Sequence, residues 1–184
     1  MYNFEGNSLN VEQSFEEVYV AFVYCPMCQR KLVENAEKYL ACPRKSCGFV
    51  HFNNPIPVVA GIVLMHPGIV IVQRKFSPYV GEWCLPCGYV EHKGHPPDEV
   101  IREIKEEAGI DARALLDLGT INPDPGKRNQ IITFYLCEYV GGVLCAGDDA
   151  MSVMHCITPD MVPKLCFSTH NDKVREWWHV IDWA

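Results

Sequence analysis

Four glutamates share one face of a predicted helix: Glu99, Glu103, Glu106 and Glu107. At about 100° of rotation per residue they fall on a single arc of the helix surface. Like charges at this spacing repel each other at neutral pH unless cations neutralise them. Oxygen donors favour hard cations such as Mg²⁺ or Mn²⁺, which clamp and polarise phosphoryl oxygens. The pattern indicates a site for such a cation. The alternative is an ordinary solvated acidic helix face, which has the same periodicity.

The helix that carries these carboxylates is predicted over residues 97–108. Two prolines and two acidic residues suit its first turn, and Gly109 can close it in a left-handed cap. Arg102 can pair with Glu106 one turn later. A separate apolar arc predicts the face that packs on a sheet: Val100, Ile101, Ile104 and Ala108.

Residues 88–110, GYVEHKGHPPDEVIREIKEEAGI, resemble the Nudix box. That motif is a glycine, five residues, a glutamate, seven residues, and then Arg-Glu-apolar-x-Glu-Glu-x-Gly-apolar. One position departs from it, because Gly94 stands where the box has its first glutamate. Glu99 or Glu91 could supply the missing charge. The remaining positions match in type and spacing: Gly88, Arg102, Glu103, Ile104, Glu106, Glu107, Gly109 and Ile110.

The resemblance implies an α/β protein, an α/β/α sandwich around a mixed sheet, that hydrolyses a pyrophosphate bond with Mg²⁺ or Mn²⁺. Arg102 belongs to the catalytic set that the family implies. Asp149, on a loop beyond the box, is chosen as the general base, and Asp148 is the second choice. The alternative is that both residues belong to a Gly-Asp-Asp turn without a catalytic role. The implied ligands of the catalytic metal are Glu103, Glu106, Glu107 and the Gly88 carbonyl.

Two cysteine pairs, Cys25-Pro-Met-Cys28 and Cys42-Pro-Arg-Lys-Ser-Cys47, are separated by thirteen residues. Four thiolates in two such knuckles are typical of a tetrahedral structural Zn²⁺ site. Free buried thiols or two disulfides are the alternatives. A zinc ribbon ahead of a Nudix domain is similar to a subgroup that includes ADP-ribose, FAD and NADH pyrophosphatases.

A third cysteine pair, in Trp83-Cys84-Leu85-Pro86-Cys87, has the spacing of a thioredoxin-type redox site, whose reactive thiol lies at a helix start. The glycines and prolines that follow predict a loop instead, which argues against that interpretation. A second zinc site formed with His92 and His95 is the other alternative.

The chain divides by pattern into an N-terminal segment (residues 1–23), a zinc ribbon (24–52) and a Nudix hydrolase domain (53–184). Two β-branched runs, 58–65 and 69–74, flank His66-Pro67-Gly68 and predict a hairpin. Further strands are predicted at 131–140 and 151–157, and a helix at 172–183.

The 184 residues carry a formal charge of −7, which opposes binding of long nucleic acids and favours a small nucleotide partner bound through metals. No run approaches the ~20 apolar residues of a membrane span, and the first ten residues do not have the pattern of a secretory signal. We therefore expect a cytoplasmic protein without a membrane partner, and the sequence allows a homodimer. ADP-ribose, FAD or a similar dinucleotide is the expected substrate, and a catalytically weak, nucleotide-binding sensor or regulator is the alternative, motivated by Gly94.

Overall fold

The computed structural model describes residues 22–123 and 129–181. The chain divides into two compact units, one ending at Asn54 and the other beginning at Pro55. The predicted N-terminal segment, 1–23, lies outside the described residues except for its last two. No helix within the described ranges is long and apolar enough to cross a membrane.

The first unit has a three-stranded antiparallel sheet of very short strands: β1 (Val33–Glu34), β2 (Leu40–Ala41) and β3 (Val50–His51). In the range 22–54, the only buried side chains are those of Cys25 and Leu32. Two buried side chains bury too little apolar surface to stabilise such a unit. A metal ion bound by the four cysteines of this unit would add to its free energy of folding.

The second unit is built on a seven-stranded mixed sheet in the order β10-β5-β4-β9-β8, with β6 paired to β5 and β7 paired to β4. β4 and β9 run parallel, whereas the other pairs are antiparallel. The strands are β4 (Ile56–Leu64), β5 (Ile69–Arg74), β6 (Trp83–Cys84), β7 (Cys87–Tyr89), β8 (Ile110–Ile121), β9 (Gln130–Gly142) and β10 (Ala150–Cys156).

Side chains that alternate along the central strands form two cores, one on each face of this sheet. On β5, Val70 and Val72 face one core, and Ile69 and Ile71 face the other. Helix α1 (Pro96–Ala108) packs on the first core, and Val174 of helix α2 (Ser168–Glu176) packs on the second. The predicted α/β/α sandwich with a mixed sheet is confirmed.

Most predicted elements lie where the pattern placed them, including the hairpin, in which Leu64 pairs with Ile69. The C-terminal helix is an exception, because α2 occupies Ser168–Glu176 and a 3₁₀ turn, Trp178–Val180, follows it. Strand β8 was not predicted. Its sequence is rich in Asp, Ala and Leu, and its pairing with β9 shifts register three times, so no regular alternation marks it.

Candidate active site

Helix α1 carries the acidic face, and both of its ends have the predicted signals. His95 precedes a start with proline at the first helical positions, and Gly109 ends the helix in the left-handed conformation at φ 74°. Val100, Ile104 and Ala108 are fully buried in the core of the second unit. This packing turns Glu103 and Glu107 toward β7, where both are largely buried.

Strand β7 forms the floor beneath these two carboxylates. A Cβ atom at Gly88 would overlap the Glu103 carboxyl group, so only glycine allows that side chain to lie against the strand. The neighbouring Cys87 N–H donates a hydrogen bond of 2.9 Å to Glu107 Oε2. Strand β7 and the two glutamates therefore meet beside the glycine that opens the motif.

Arg102 links the carboxylates of the helix. Its Nη1 donates to Glu106 Oε2 at 2.6 Å, which is the predicted pair one turn apart, and its Nη2 donates to Glu103 Oε1 at 2.6 Å. The same guanidinium donates to Glu99 Oε2 from Nε at 3.0 Å and from Nη2 at 2.8 Å. One cation thus serves three carboxylates, and Glu107 is not among the acceptors of these bonds.

Burial disfavours the charged forms of the two inner glutamates. It raises the pKa of Glu103, despite the opposing effect of Arg102. It also raises the pKa of Glu107 to about 8, although the Cys87 N–H acts in the opposite direction. The nearby cations, Arg102 for Glu103 and Arg74 for Glu107, do not offset burial, so the two carboxylates fit a divalent cation, which would stabilise their ionised forms.

The carboxylates are spaced more widely than a closed metal cage requires. Among the described residues, no three acidic side chains bring oxygens within 4.8 Å of one another, whereas the four N-terminal cysteines meet that limit. Mg²⁺ usually takes one or two carboxylates and completes its octahedron with water and substrate phosphates. The donor set therefore suits a cation that is shared between protein and substrate.

Asp149 lines the same pocket as Glu103 and Glu107, and its charge acts on both. The loop before it is bound to the end of α1, because Gly147 N–H donates to Glu107 O at 3.1 Å and Cys145 N–H donates to Ala108 O at 3.1 Å. A Cβ at Gly147 would overlap the Glu106 carbonyl oxygen. These bonds place Asp149 beside the acidic helix face, although about forty residues separate them in the sequence.

The pocket has a volume of about 680 Å³, and part of its lining is formed by cationic and aromatic side chains instead of carboxylates. The Arg74 guanidinium lies 5.2 Å from the centre of the Phe167 ring, and Tyr79 meets that ring edge-on at 5.4 Å. Phe76 is 56% exposed and Lys75 Nζ lies 5.5 Å from its ring. Exposed aromatic rings next to cations are suited to a flat, electron-rich group and to phosphate.

Some residues of this lining have no recognisable signal in the sequence. His170 lies in α2, fully buried, and accepts a hydrogen bond from Leu85 N–H at 3.2 Å. Burial lowers the pKa of His170 to about 3, so the ring is neutral. Phe134 is fully buried in the core, so its ring is not available to stack on a base.

The four N-terminal cysteines come together in the first unit. Cys25 Sγ lies 3.6 Å from Cys47 Sγ, and Cys28 Sγ lies 3.5 Å from Cys42 Sγ. All four sulfurs lie within 4.8 Å of one another, and none is in a disulfide. A hydrogen bond from the Arg30 backbone lowers the pKa of Cys28 to about 7, whereas burial raises the pKa of its neighbour Cys42 to about 12. The cluster has the donor set of a tetrahedral zinc site.

The third cysteine pair has the structure of neither a thioredoxin-type redox site nor a second zinc site. Cys84 and Cys87 lie in strands β6 and β7, not at the start of a helix. Within the described part of the chain, no group of metal-binding side chains other than the N-terminal cysteines is compact enough to hold an ion by itself. Cys87 instead contributes its backbone N–H to Glu107.

Comparison with known proteins adds independent evidence. The NUDIX domain matches residues 55–178 of this chain. An ADP-ribose pyrophosphatase of Methanocaldococcus jannaschii is 32% identical over 126 residues, which cover 67% of this chain and 73% of that protein. The NAD-capped RNA hydrolase NudC of Pseudomonas aeruginosa is 25% identical over 144 residues, and there the match covers 77% of this chain but 50% of that protein.

A solved structure agrees in fold. The crystal structure of a NUDIX hydrolase from Nitrosomonas europaea has a TM-score of 0.75 at 20% identity, covering 88% of this chain and 94% of that one. The family match spans about two thirds of the chain and includes the acidic helix, the floor strand and the Asp149 loop. The chain is therefore a member of the Nudix family of pyrophosphohydrolases.

Proposed function

We propose that this protein hydrolyses the pyrophosphate bond of ADP-ribose, FAD or a similar nucleoside diphosphate-linked compound. The observation that carries the proposal is a pocket whose lining combines carboxylates with cationic and aromatic side chains. Glu103, Glu107 and Asp149 suit a metal-bound diphosphate, and Phe76 and Arg74 suit a nucleobase and further phosphate oxygens. A compound with a diphosphate in the middle and a flat ring at one end matches this lining.

The curated relatives support the same class of substrate. The protein that shares 32% identity is named an ADP-ribose pyrophosphatase, and NudC is named an NAD-capped RNA hydrolase. Both names describe compounds in which a diphosphate joins a nucleoside to a second group.

In the proposed reaction, a water oxygen forms a bond to one phosphorus and the bond from that phosphorus to the bridging oxygen breaks. With ADP-ribose the products are AMP and ribose 5-phosphate. A divalent cation, when bound, neutralises the phosphoryl oxygens as charge develops. Glu103, Glu106, Glu107 and the Gly88 carbonyl would hold Mg²⁺ or Mn²⁺, and Arg102 would keep the glutamates in position.

Asp149 is the proposed general base, which accepts the proton of the attacking water. Its exposure at the pocket mouth leaves room for that water, and the loop contacts with α1 keep it near the metal ligands. Asp148 is a weaker candidate, because its backbone carbonyl accepts a hydrogen bond from Lys75 Nζ and it does not line the pocket.

The four cysteines are proposed to hold one structural Zn²⁺ that stabilises residues 24–52, ahead of a hydrolase domain at 53–184. All ten cysteines of the chain are free in the structure. Free thiols in this number support our expectation of a reducing, cytoplasmic location.

The test is a panel of ADP-ribose, FAD, NADH, sugar nucleotides and nucleoside triphosphates, each with Mg²⁺ and with Mn²⁺, with products separated by ion-exchange chromatography. We expect metal-dependent hydrolysis, fastest for ADP-ribose or FAD, with nucleoside monophosphate among the products. Glu107→Gln protein purified in parallel is the control for contaminating phosphatases. Absence of turnover across the panel would refute the proposed activity, and preference for nucleoside triphosphates would refute the substrate class.

A further inference from the structure

Gly94 occupies the position at which the family motif has a glutamate, and the structure leaves no room for a side chain there. A Cβ atom at Gly94 would overlap Oε1 and Cδ of Glu99 and would lie 2.9 Å from its Cγ. The carboxyl group of Glu99 therefore already fills the space into which residue 94 would project. The glutamate is missing from the motif, but a carboxylate lies at that place.

The contacts of Glu99 show what this carboxylate does. Oε2 accepts two hydrogen bonds from Arg102, at 2.8 and 3.0 Å, and a longer one of 3.4 Å from Glu91 N–H. The side chain is only 10% exposed, so solvent screens the ion pair weakly. The hydrogen bonds from Arg102 lower the pKa of Glu99, which keeps the group ionised.

Arg102 would behave differently without this partner. Its Nη2 is shared between Glu99 and Glu103, and its Nη1 is bound to Glu106. If the Glu99 charge were removed, the guanidinium would be free to turn fully toward the other two glutamates. A tighter pair with Arg102 would reduce the negative charge that these glutamates offer a divalent cation.

We propose that Glu99, one helical turn before Glu103, is a positioning residue that replaces the absent glutamate of the motif by anchoring Arg102. The inference deepens the proposed function, but its first readout is metal binding and requires no substrate. Glu99 does not have to touch the metal or the reacting atoms for this role. The function of the motif glutamate has moved five residues along the chain, from the loop onto the helix.

The test uses full-length protein and Mn²⁺ titrations followed by electron paramagnetic resonance of the free ion. We expect Glu99→Gln to weaken Mn²⁺ binding at least tenfold and, where turnover is measurable, to lower kcat by a similar factor. Asp98→Asn is the matched control, because Asp98 is an acidic residue of the same first helical turn with a side chain that is 79% exposed. It should change both values less than twofold, although its effect on the helix dipole is comparable.

The decisive variant transfers the carboxylate back to the motif position, as Gly94→Glu combined with Glu99→Ala. We expect this double variant to recover Mn²⁺ affinity to within about threefold of the wild type, whereas Glu99→Ala alone stays weak. Gly94→Glu alone should lower the melting temperature, because two carboxylates then compete for one space. A role in helix stability alone predicts no such rescue.

The outcomes separate the two proposals. Wild-type affinity in Glu99→Gln, or a double variant that is unfolded or binds no better than Glu99→Ala, would overturn the role of Glu99. If Glu99→Ala does not fold, the double variant is compared with Glu99→Gln. A wild-type protein that binds Mn²⁺ but cleaves no compound of the panel would refute the proposed function and leave the Mn²⁺ comparison, and hence the role of Glu99, intact.

Discussion

Replacement of Glu107 by Gln should stabilise the protein when the carboxylate site holds no divalent cation, and should destabilise its complex with that cation. Glu107 is 7% exposed, and its pKa rises from an ordinary value near 4.5 to about 8 because burial disfavours the charge. The folded protein thus holds this proton more tightly than the unfolded chain does. The stabilisation is complete below about pH 4.5 and is lost as the pH rises through about 8.

The magnitude follows from the same pKa values. Between pH 5 and pH 8.5 the folded protein should lose at most about 4 kcal/mol of its free energy of unfolding through Glu107, taking about 1.4 kcal/mol for each pH unit. Glutamine keeps an acceptor for the Cys87 N–H and carries no charge, so the variant lacks this loss. We expect the variant to exceed the wild type by about 1–4 kcal/mol at pH 8.5 and to differ little at pH 5.

Urea unfolding at several pH values, followed by tryptophan fluorescence, measures this difference. All four tryptophans follow residue 54, so the signal reports on the second unit. Weakly bound divalent ions are removed by dialysis over chelating resin, without a chelator in solution. Glu106→Gln is the matched control, because the Glu106 side chain is 54% exposed.

Addition of Mg²⁺ should reverse the order of stability. A ligand that binds only the folded protein stabilises it by RT ln(1 + [L]/Kd), and the variant lacks one of the proposed ligands. At pH 8.5 the wild type should gain more from 10 mM Mg²⁺ than Glu107→Gln does. Parallel pH profiles for the two proteins without metal would refute the argument, because they would show that Glu107 does not retain its proton in the folded state.

Three further predictions concern the other groups of the molecule. Asp149→Asn should lower kcat by about 10²–10⁴-fold with little change in KM if Asp149 takes the proton of water, and a normal kcat would transfer that role elsewhere. Phe76→Ala should raise KM about tenfold for compounds with a nucleobase, because stacking contributes about 1–3 kcal/mol, and an equal KM in steady-state assays would remove Phe76 from the base site. Purified protein should contain about one Zn²⁺ per chain by atomic emission, and Cys42→Ser should lose it, whereas Cys145→Ser, at an exposed site, should not.

The carboxylate helix was predictable because its information is local. The cap at Gly109, the pair of Arg102 with Glu106 and the apolar face all follow from spacing within one element. The same holds for the two cysteine knuckles. In each of these segments, the residues that define the structure lie within about 23 positions of one another in the sequence. They can therefore be recognised without knowledge of tertiary contacts.

The cationic and aromatic part of the pocket lining could not be found in this way. The contact that places His170 joins it to Leu85, 85 residues away in the sequence, and Cys166 N–H is bound to Trp83 O. Neither pair has a signature in the spacing of residues. Glu99 is an intermediate case. Its position near Glu103 follows from helical periodicity. That its carboxyl group fills the space where a side chain of residue 94 would lie depends on the path of the loop before the helix.

The attachment of the Asp149 loop to the last turn of α1 has a consequence for how such a pocket can diversify. Gly147 and Cys145 bind the helix carbonyls, and Lys75 N–H donates to Asp149 O at 3.3 Å, so the Asp149 loop is tied both to the acidic helix and to the end of β5. A change in the packing of either element therefore acts on Asp149 through backbone hydrogen bonds. Side chains such as Phe76 and Tyr79 line the same pocket without taking part in these bonds, so new substrate preferences can arise by their exchange while the bonds stay in place.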